Sequence, residues 1–148
     1  MEISFQTLSF TYDKYRSKIS NSKNNPTNSE LEVLTILWTV GMATARQVHD
    51  ELVKSKSTGY TTTLKIIQNM YEKGMLTREP KGQTHIYYPV VKQADVQQQM
   101  LGGFVDKVFM GSSKNLILQA LGNQQPSNEE LEEIKAMIAR LEKEGGQS

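Results

Sequence analysis

The sequence predicts a mainly α chain with one small β-hairpin, arranged as a winged helix-turn-helix followed by a helical segment. Three observations carry this. Three short stretches of helical periodicity succeed one another between residues 29 and 74, divided by a glycine and by a polar break. The period then shortens from about 3.6 to about 2 across residues 75–90, around a Pro-Lys-Gly-Gln turn. Helical spacing returns after Val91. Helix, helix, helix and hairpin within about sixty residues is the element order of a winged helix-turn-helix.

Each element has its own warrant. Ser29-Glu30-Leu31-Glu32 reads as a capping box with Ser29 as N-cap, and Leu31, Val33, Leu34, Leu37 and Trp38 form the apolar stripe behind it. Gly41 closes that helix. Thr44-Ala45-Arg46-Gln47 is a second capping box, with Val48 and Leu52 facing the core and Ala45 behind them. Residues 54–59 are a polar break, and a third helix runs from about Thr61 to Lys73, closed by Gly74. Met75 to Glu79 and Thr84 to Val90 are the strands, with Pro80 to Gln83 as the turn. Beyond them, Asp95 to Phe109 carries Val96, Met100, Phe104, Val105 and Val108 at helical spacing. Leu116, Ile117 and Leu121 mark a short helix ended by Gly122. Ser127-Asn128-Glu129-Glu130 is a third capping box, opening a helix whose Leu131, Ile134, Ile138 and Leu141 form a narrow seam.

Composition narrows the function classes. Of 148 residues only 37% are apolar, which is low for a self-contained globule and favours burial against a partner. The seam at 131–141 suits either an intramolecular core or a dimer interface, and the small apolar total favours the dimer. There is no cysteine, so disulfides, thiolate metal sites and a Cys nucleophile are excluded. His49 and His85 share no ligand-type spacing and read as packing or surface residues, as Trp38 reads as core. No metal site, cofactor or catalytic group is expected: there are no paired carboxylates, no nucleophile-base pair and no Gly-rich phosphate loop. No apolar run approaches a membrane span and the N-terminus lacks a signal-peptide h-region, so a cytoplasmic location is expected. Net charge is +1, yet residues 1–29 and 30–92 each carry +2 while residues 93–148 carry −3, so the front of the chain tolerates a polyanion better than the back.

The third helix carries the functional reading. On a helical wheel Thr63, Ile66, Ile67, Met70 and Tyr71 tend to one side, and Thr61, Thr62, Lys65, Gln68, Asn69 and Glu72 to the other. Hydroxyls, amides and a lysine on an outward helix face are groups that hydrogen-bond base edges in a major groove; Thr61, Thr62, Lys65 and Asn69 are the candidate base-reading residues. Arg46, Lys56, Tyr60, Lys81 and Tyr87 are the candidate contacts to the DNA backbone, which position the domain without reading sequence. The competing reading is a winged helix used only as a protein-protein module, which the modest positive charge of residues 30–92 keeps open.

In this order and spacing, Glu30-Leu31-Glu32-Val33-Leu34 with Leu37-Trp38, Thr44-Ala45-Arg46-Gln47-Val48, Tyr60-Thr61-Thr62-Thr63, Glu72 to Glu79, Tyr87-Tyr88-Pro89, Phe109-Met110-Gly111-Ser112 and Glu129 to Ile134 resemble the penicillinase and methicillin-resistance repressor family, which also holds copper-responsive repressors. The resemblance covers residues 29–142. It implies a homodimer on a pseudo-palindromic double-stranded operator, an interface from Phe104, Val108, Leu116, Leu131, Ile134, Ile138 and Leu141, and a link to antibiotic resistance. It also implies inactivation by proteolysis at Gly103-Phe104 on a signal from a membrane sensor protease. Three departures stand out. Gly103 replaces the Asn of antibiotic-responsive relatives, and Thr63, Lys65 and Asn69 stand where Val, Thr and Arg are common. The cysteines of copper sensors are absent. The expected organisation is a flexible extension over 1–28, a DNA-binding domain over 29–91, a helical dimerisation segment over 92–144 and a tail over 145–148.

Overall fold

The structure, a computed structural model, describes residues 25–146. Helix α1 spans Asn28–Val40, strand β1 Ala43–Thr44, helix α2 Ala45–Leu52 and helix α3 Tyr60–Glu72. Strands β2 (Leu76–Lys81) and β3 (Thr84–Pro89) follow, then helices α4 (Gln93–Val108), α5 (Ser113–Gln124) and α6 (Asn128–Gly145). The three strands form one antiparallel sheet in the order β1-β3-β2. Three helices followed by a hairpin, with a short strand pairing onto the hairpin, make the winged helix that the sequence predicts.

The first helix starts earlier than expected. Thr27, not Ser29, is the N-cap, and the capping box is closed by Glu30 rather than Glu32. Two overlapping four-residue patterns compete here. Glu30 prevails because it is buried and also takes an ion pair from Lys73 at 2.9 Å, whereas Glu32 sits outward with Lys56. Pro26 is buried and Thr27 caps α1, both inside the segment expected to be a flexible extension. The rest of that expectation, residues 1–24, lies outside the described residues. Thr44 and Ser127 cap α2 and α6 through the expected boxes, with Gln47 and Glu130 reaching back.

β2 reaches further toward the turn than expected, β3 ends one residue earlier, and the turn is tighter. β2 runs through Pro80 to Lys81, leaving Gly82 and Gln83 as a two-residue turn, with Lys81 opposite Thr84. Pro80 is tolerated because β2 is an edge strand, where the missing N–H costs no ladder hydrogen bond. Gly82 has φ 60°, the positive angle that a type II′ hairpin turn needs at its first central position. β1 has no counterpart among the expected elements, since two residues are too few to show a period. It pairs Ala43 with Tyr87 and Thr44 with Ile86.

The core joins Val33, Leu34 and Leu37 of α1, Val48 and Leu52 of α2, Ile67 and Met70 of α3, and Leu76 and Tyr87 of the hairpin. It also takes Val91 and Val96, with Met100 packed against it. Trp38 is half-buried at its edge and donates from Nε1 to the Val91 carbonyl at 2.9 Å. This packing explains where the chain divides. The first unit runs through Gly103 and the second begins at Phe104, beyond the boundary expected at residue 91.

In the second unit, α5 and α6 bury no residue. Helix α5 passes Gly122, the expected stop, and ends where Gln125 adopts a left-handed φ of 45° ahead of Pro126. Among the described residues, no helix is long and apolar enough to cross a membrane.

Candidate nucleic-acid interface

Helix α3 is held from behind by Thr63, Ile67 and Met70, all buried. That fixes its opposite face. Thr61, Thr62, Lys65, Gln68, Asn69 and Glu72 are all exposed, so the four candidate base-reading residues do share the outward surface expected of them. The N-cap is Gly59, which makes no side-chain cap bond. A side chain supplies the order instead: Thr63 Oγ1 donates to the Gly59 carbonyl at 3.3 Å and lies 3.0 Å from His49 Nδ1 on α2. With the hydroxyl hydrogen directed at Gly59, the imidazole donates from Nδ1. His49 is therefore a buried strut under the start of α3, tying it to α2. Its ring also meets Tyr60 edge-on at 5.6 Å.

Arg46 and Tyr60 form one unit. The guanidinium of Arg46 stands 3.9 Å over the Tyr60 ring. At the other end of the helix, Arg78 of β2 stands 4.0 Å over the ring of Tyr71. Tyr71 was expected on the core side; it lies at the rim, 37% exposed. Neither Arg78 nor His49 was among the candidates. The alternation of β2 held the signal for Arg78: it shares a strand face with the buried Leu76 and pairs across the ladder with Tyr87, so it points toward the helix rather than away from it.

The seven basic side chains from Arg46 to Lys81 sort into two sets. Lys54, Lys56 and Lys73 are paired with Glu51, Glu32 and Glu30 at 2.8, 3.2 and 2.9 Å. Among the described residues, Arg46, Lys65, Arg78 and Lys81 make no ion pair, and all four belong to α3, its flank or the hairpin. Lys56, a candidate backbone contact, is thus engaged with Glu32. Tyr87 is corrected outright: it is 2% exposed and packed in the core, because its position on the central strand opposite both Ala43 and Arg78 turns its ring inward. The aromatic reading of the second strand holds for the sheet but not for a surface contact.

Electrostatics beneath the helix are set by Glu30. Burial pushes its carboxyl up, but the Thr27 amide and the Lys73 ammonium outweigh burial and hold it below the ordinary glutamate value. The pair joins the start of α1 to the end of α3.

The family model described as penicillinase repressor matches residues 26–140. The chain belongs to the penicillinase repressor family. Its similarity to individual members is distant. The methicillin resistance regulatory protein MecI of Staphylococcus aureus is 25% identical over 120 residues, covering 81% of this chain and 98% of MecI. The penicillinase repressor of Staphylococcus aureus is 23% identical over 125 residues, 84% of this chain and 99% of its own. That of Bacillus licheniformis is 25% identical over 111 residues, 75% and 87% respectively. Among solved structures, the solution structure of the DNA-binding domain of the repressor BlaI matches 47% of this chain and 84% of its own, at 25% identity and a TM-score of 0.43. The family match starts one residue before the capping Thr27 and extends into both units.

Proposed function

We propose that this protein is a cytoplasmic transcriptional repressor that binds a pseudo-palindromic operator as a homodimer. The observation that carries the reading is the outward face of α3, bordered by cations that no acidic group among the described residues neutralises. A polyanion supplies the missing countercharge, and a helix of this diameter fits a major groove. Thr61, Thr62, Lys65 and Asn69 read base edges; Arg46, Tyr60 and Lys81 hold phosphates, joined by Lys56 when its pair with Glu32 opens. Family membership and the repressor names of the relatives support the same reading.

The second unit supplies the two-fold. Phe104, Val108, Ile138 and Leu141 are exposed in the single chain, Leu116, Leu131 and Ile134 half-exposed, and α5 and α6 bury nothing. Short helices with no buried face are marginal in water, and a second copy gives them one. Release from DNA follows from cutting α4 at Gly103-Phe104 under a membrane sensor protease. Two consecutive glycines, Gly102 and Gly103, weaken the helix at that point.

The test is retardation of genomic fragments by the purified protein across a salt series, with the mass in solution measured in parallel. A steep loss of affinity with salt and a dimeric mass support the reading. No retardation at low salt sinks the repressor and leaves the protein-protein module.

A further inference from the structure

We infer that Arg78, shelved on Tyr71, is a second DNA-backbone contact that works as a pair with Arg46 on Tyr60, so that both ends of one flank of α3 grip phosphates. The inference rests on the operator-binding reading above and adds to it a residue on the hairpin and a division of labour along the helix.

The geometry starts from a spacing. Tyr60 and Tyr71 are eleven residues apart on α3. Eleven residues are almost three whole turns, so the two rings lie within about 20° of each other around the helix, separated by about 16 Å along it. Each carries an arginine from a different element, Arg46 from α2 and Arg78 from β2, at 3.9 and 4.0 Å from the ring centroid. Next to this flank, moving outward around the helix, come Leu64, half-buried against the core, and then Gln68 and Thr61, at the edge of the reading face. The two guanidiniums therefore border that face along the same side. When a helix lies in the major groove, the side of the reading face is the wall of the groove, which is the phosphate backbone. With their tyrosines about 16 Å apart along the helix and each guanidinium about 4 Å from its ring, the two arginines meet different phosphates, given about 3.4 Å of axial rise per nucleotide on one strand.

The tyrosines make this more than two surface charges. A guanidinium whose Cζ stands over a ring is attracted by the π face and leaves N–H groups for other partners. Those groups are the fork that matches a phosphate in two parallel hydrogen bonds. Neither arginine is ion-paired among the described residues, so no carboxylate has to be displaced first. Holding the side chain in its bound orientation lowers the ordering cost of binding. Placing the hairpin arginine here also explains why β2 turns a charged residue toward the helix, on the face it shares with buried Leu76.

The experiment measures affinity for an operator-bearing fragment and for unrelated DNA across a salt series, using the full chain and the variants Arg78→Ala, Arg78→Lys, Tyr71→Phe and Tyr71→Leu. Arg78→Ala should weaken both DNAs about equally, by roughly tenfold at moderate salt, and lower the salt slope by about one for each protomer. Tyr71→Phe should match wild type, because the ring and not the hydroxyl is the shelf. Tyr71→Leu and Arg78→Lys keep the charge and should lose affinity several-fold with the slope nearly unchanged. A folded Arg78→Ala variant with wild-type slope and affinity overturns the inference, including when its melting temperature falls, since the stack would then serve only to pin the hairpin to α3. Loss of affinity in Tyr71→Phe equal to that in Tyr71→Leu overturns the shelf. Wild-type protein that binds no DNA at low salt overturns the operator reading itself; wild-type protein that binds, with Arg78→Ala indistinguishable from it, leaves that reading standing and removes this one.

Discussion

His49 Nδ1 lies 3.0 Å from Thr63 Oγ1, both side chains buried, and this hydrogen bond ties α2 to the first turn of α3. Thr63→Val keeps the shape and removes the hydroxyl, leaving the imidazole nitrogen buried without its partner. A loss of about 1–3 kcal/mol is expected in chemical denaturation, with Thr63→Ser restoring most of it. A Thr63→Val protein as stable as wild type would show that the contact contributes nothing.

The Glu30–Lys73 pair makes the fold sensitive to acid. Because the folded carboxyl is held below its ordinary value, the stability it contributes is complete above the unfolded glutamate pKa, about 4.3, and is lost as pH falls through the folded one. Glu30→Gln retains an acceptor for the Thr27 amide but not the charge. Unfolding curves at a series of pH values should show the variant less stable at neutral pH and flatter below about pH 4.5. Parallel curves for the two proteins would exclude Glu30 as the titrating group.

Gly102 and Gly103 sit inside α4 with nothing within 4 Å of a Cβ built on either. Their replacement by alanine meets no obstacle and removes the backbone entropy cost of glycine in a helix. The double variant is expected to gain about 1–2 kcal/mol in helix stability. Limited proteolysis should cut it more slowly between residues 100 and 106 than wild type. Equal cutting rates would separate cleavage at this site from opening of the helix.

Ile138 and Leu141 are 49% and 52% exposed in one chain, so a charge there should leave the protomer folded. Ile138→Glu and Leu141→Glu are expected to reduce the mass in light scattering to that of one 16.7 kDa chain and to weaken operator binding. A dimer that survives both substitutions takes α6 out of the interface.

Lys65 and Lys81 should separate reading from holding. Lys65→Ala is expected to relax discrimination between operator variants by about 1–3 kcal/mol at the contacted base, while Lys81→Ala lowers affinity evenly across sequences and reduces the salt slope by about one per protomer. Identical binding profiles for the two variants would mean that the outward face of α3 does not enter the groove.

Much of the architecture was legible because local chemistry repeats. The capping boxes at Thr44 and Ser127, the stripe from Val33 to Leu37 and the period change after Gly74 each depend on neighbours a few residues apart. So does the outward face from Thr61 to Asn69, since burying Thr63, Ile67 and Met70 leaves it no other direction. The errors arose where distant residues decide. Glu30 displaced Glu32 from the first capping box because Lys73, forty-three residues away, needed a partner. Pro80 stayed in a strand because β2 is at the sheet edge, a fact of pairing rather than of composition.

By itself, then, the sequence determined the order and kind of every described element except the two-residue β1, and the face that α3 turns outward, because periodicity and capping act over three or four residues. Only the tertiary structure decided the rest. It buried Tyr87, engaged Lys56 with Glu32, set His49 beneath Thr63, and laid Arg46 and Arg78 on two tyrosines of one helix flank. Those outcomes depend on which strand lies in the middle of the sheet and which charges come within about 4 Å, and contacts of that kind exist only once the chain has closed on itself.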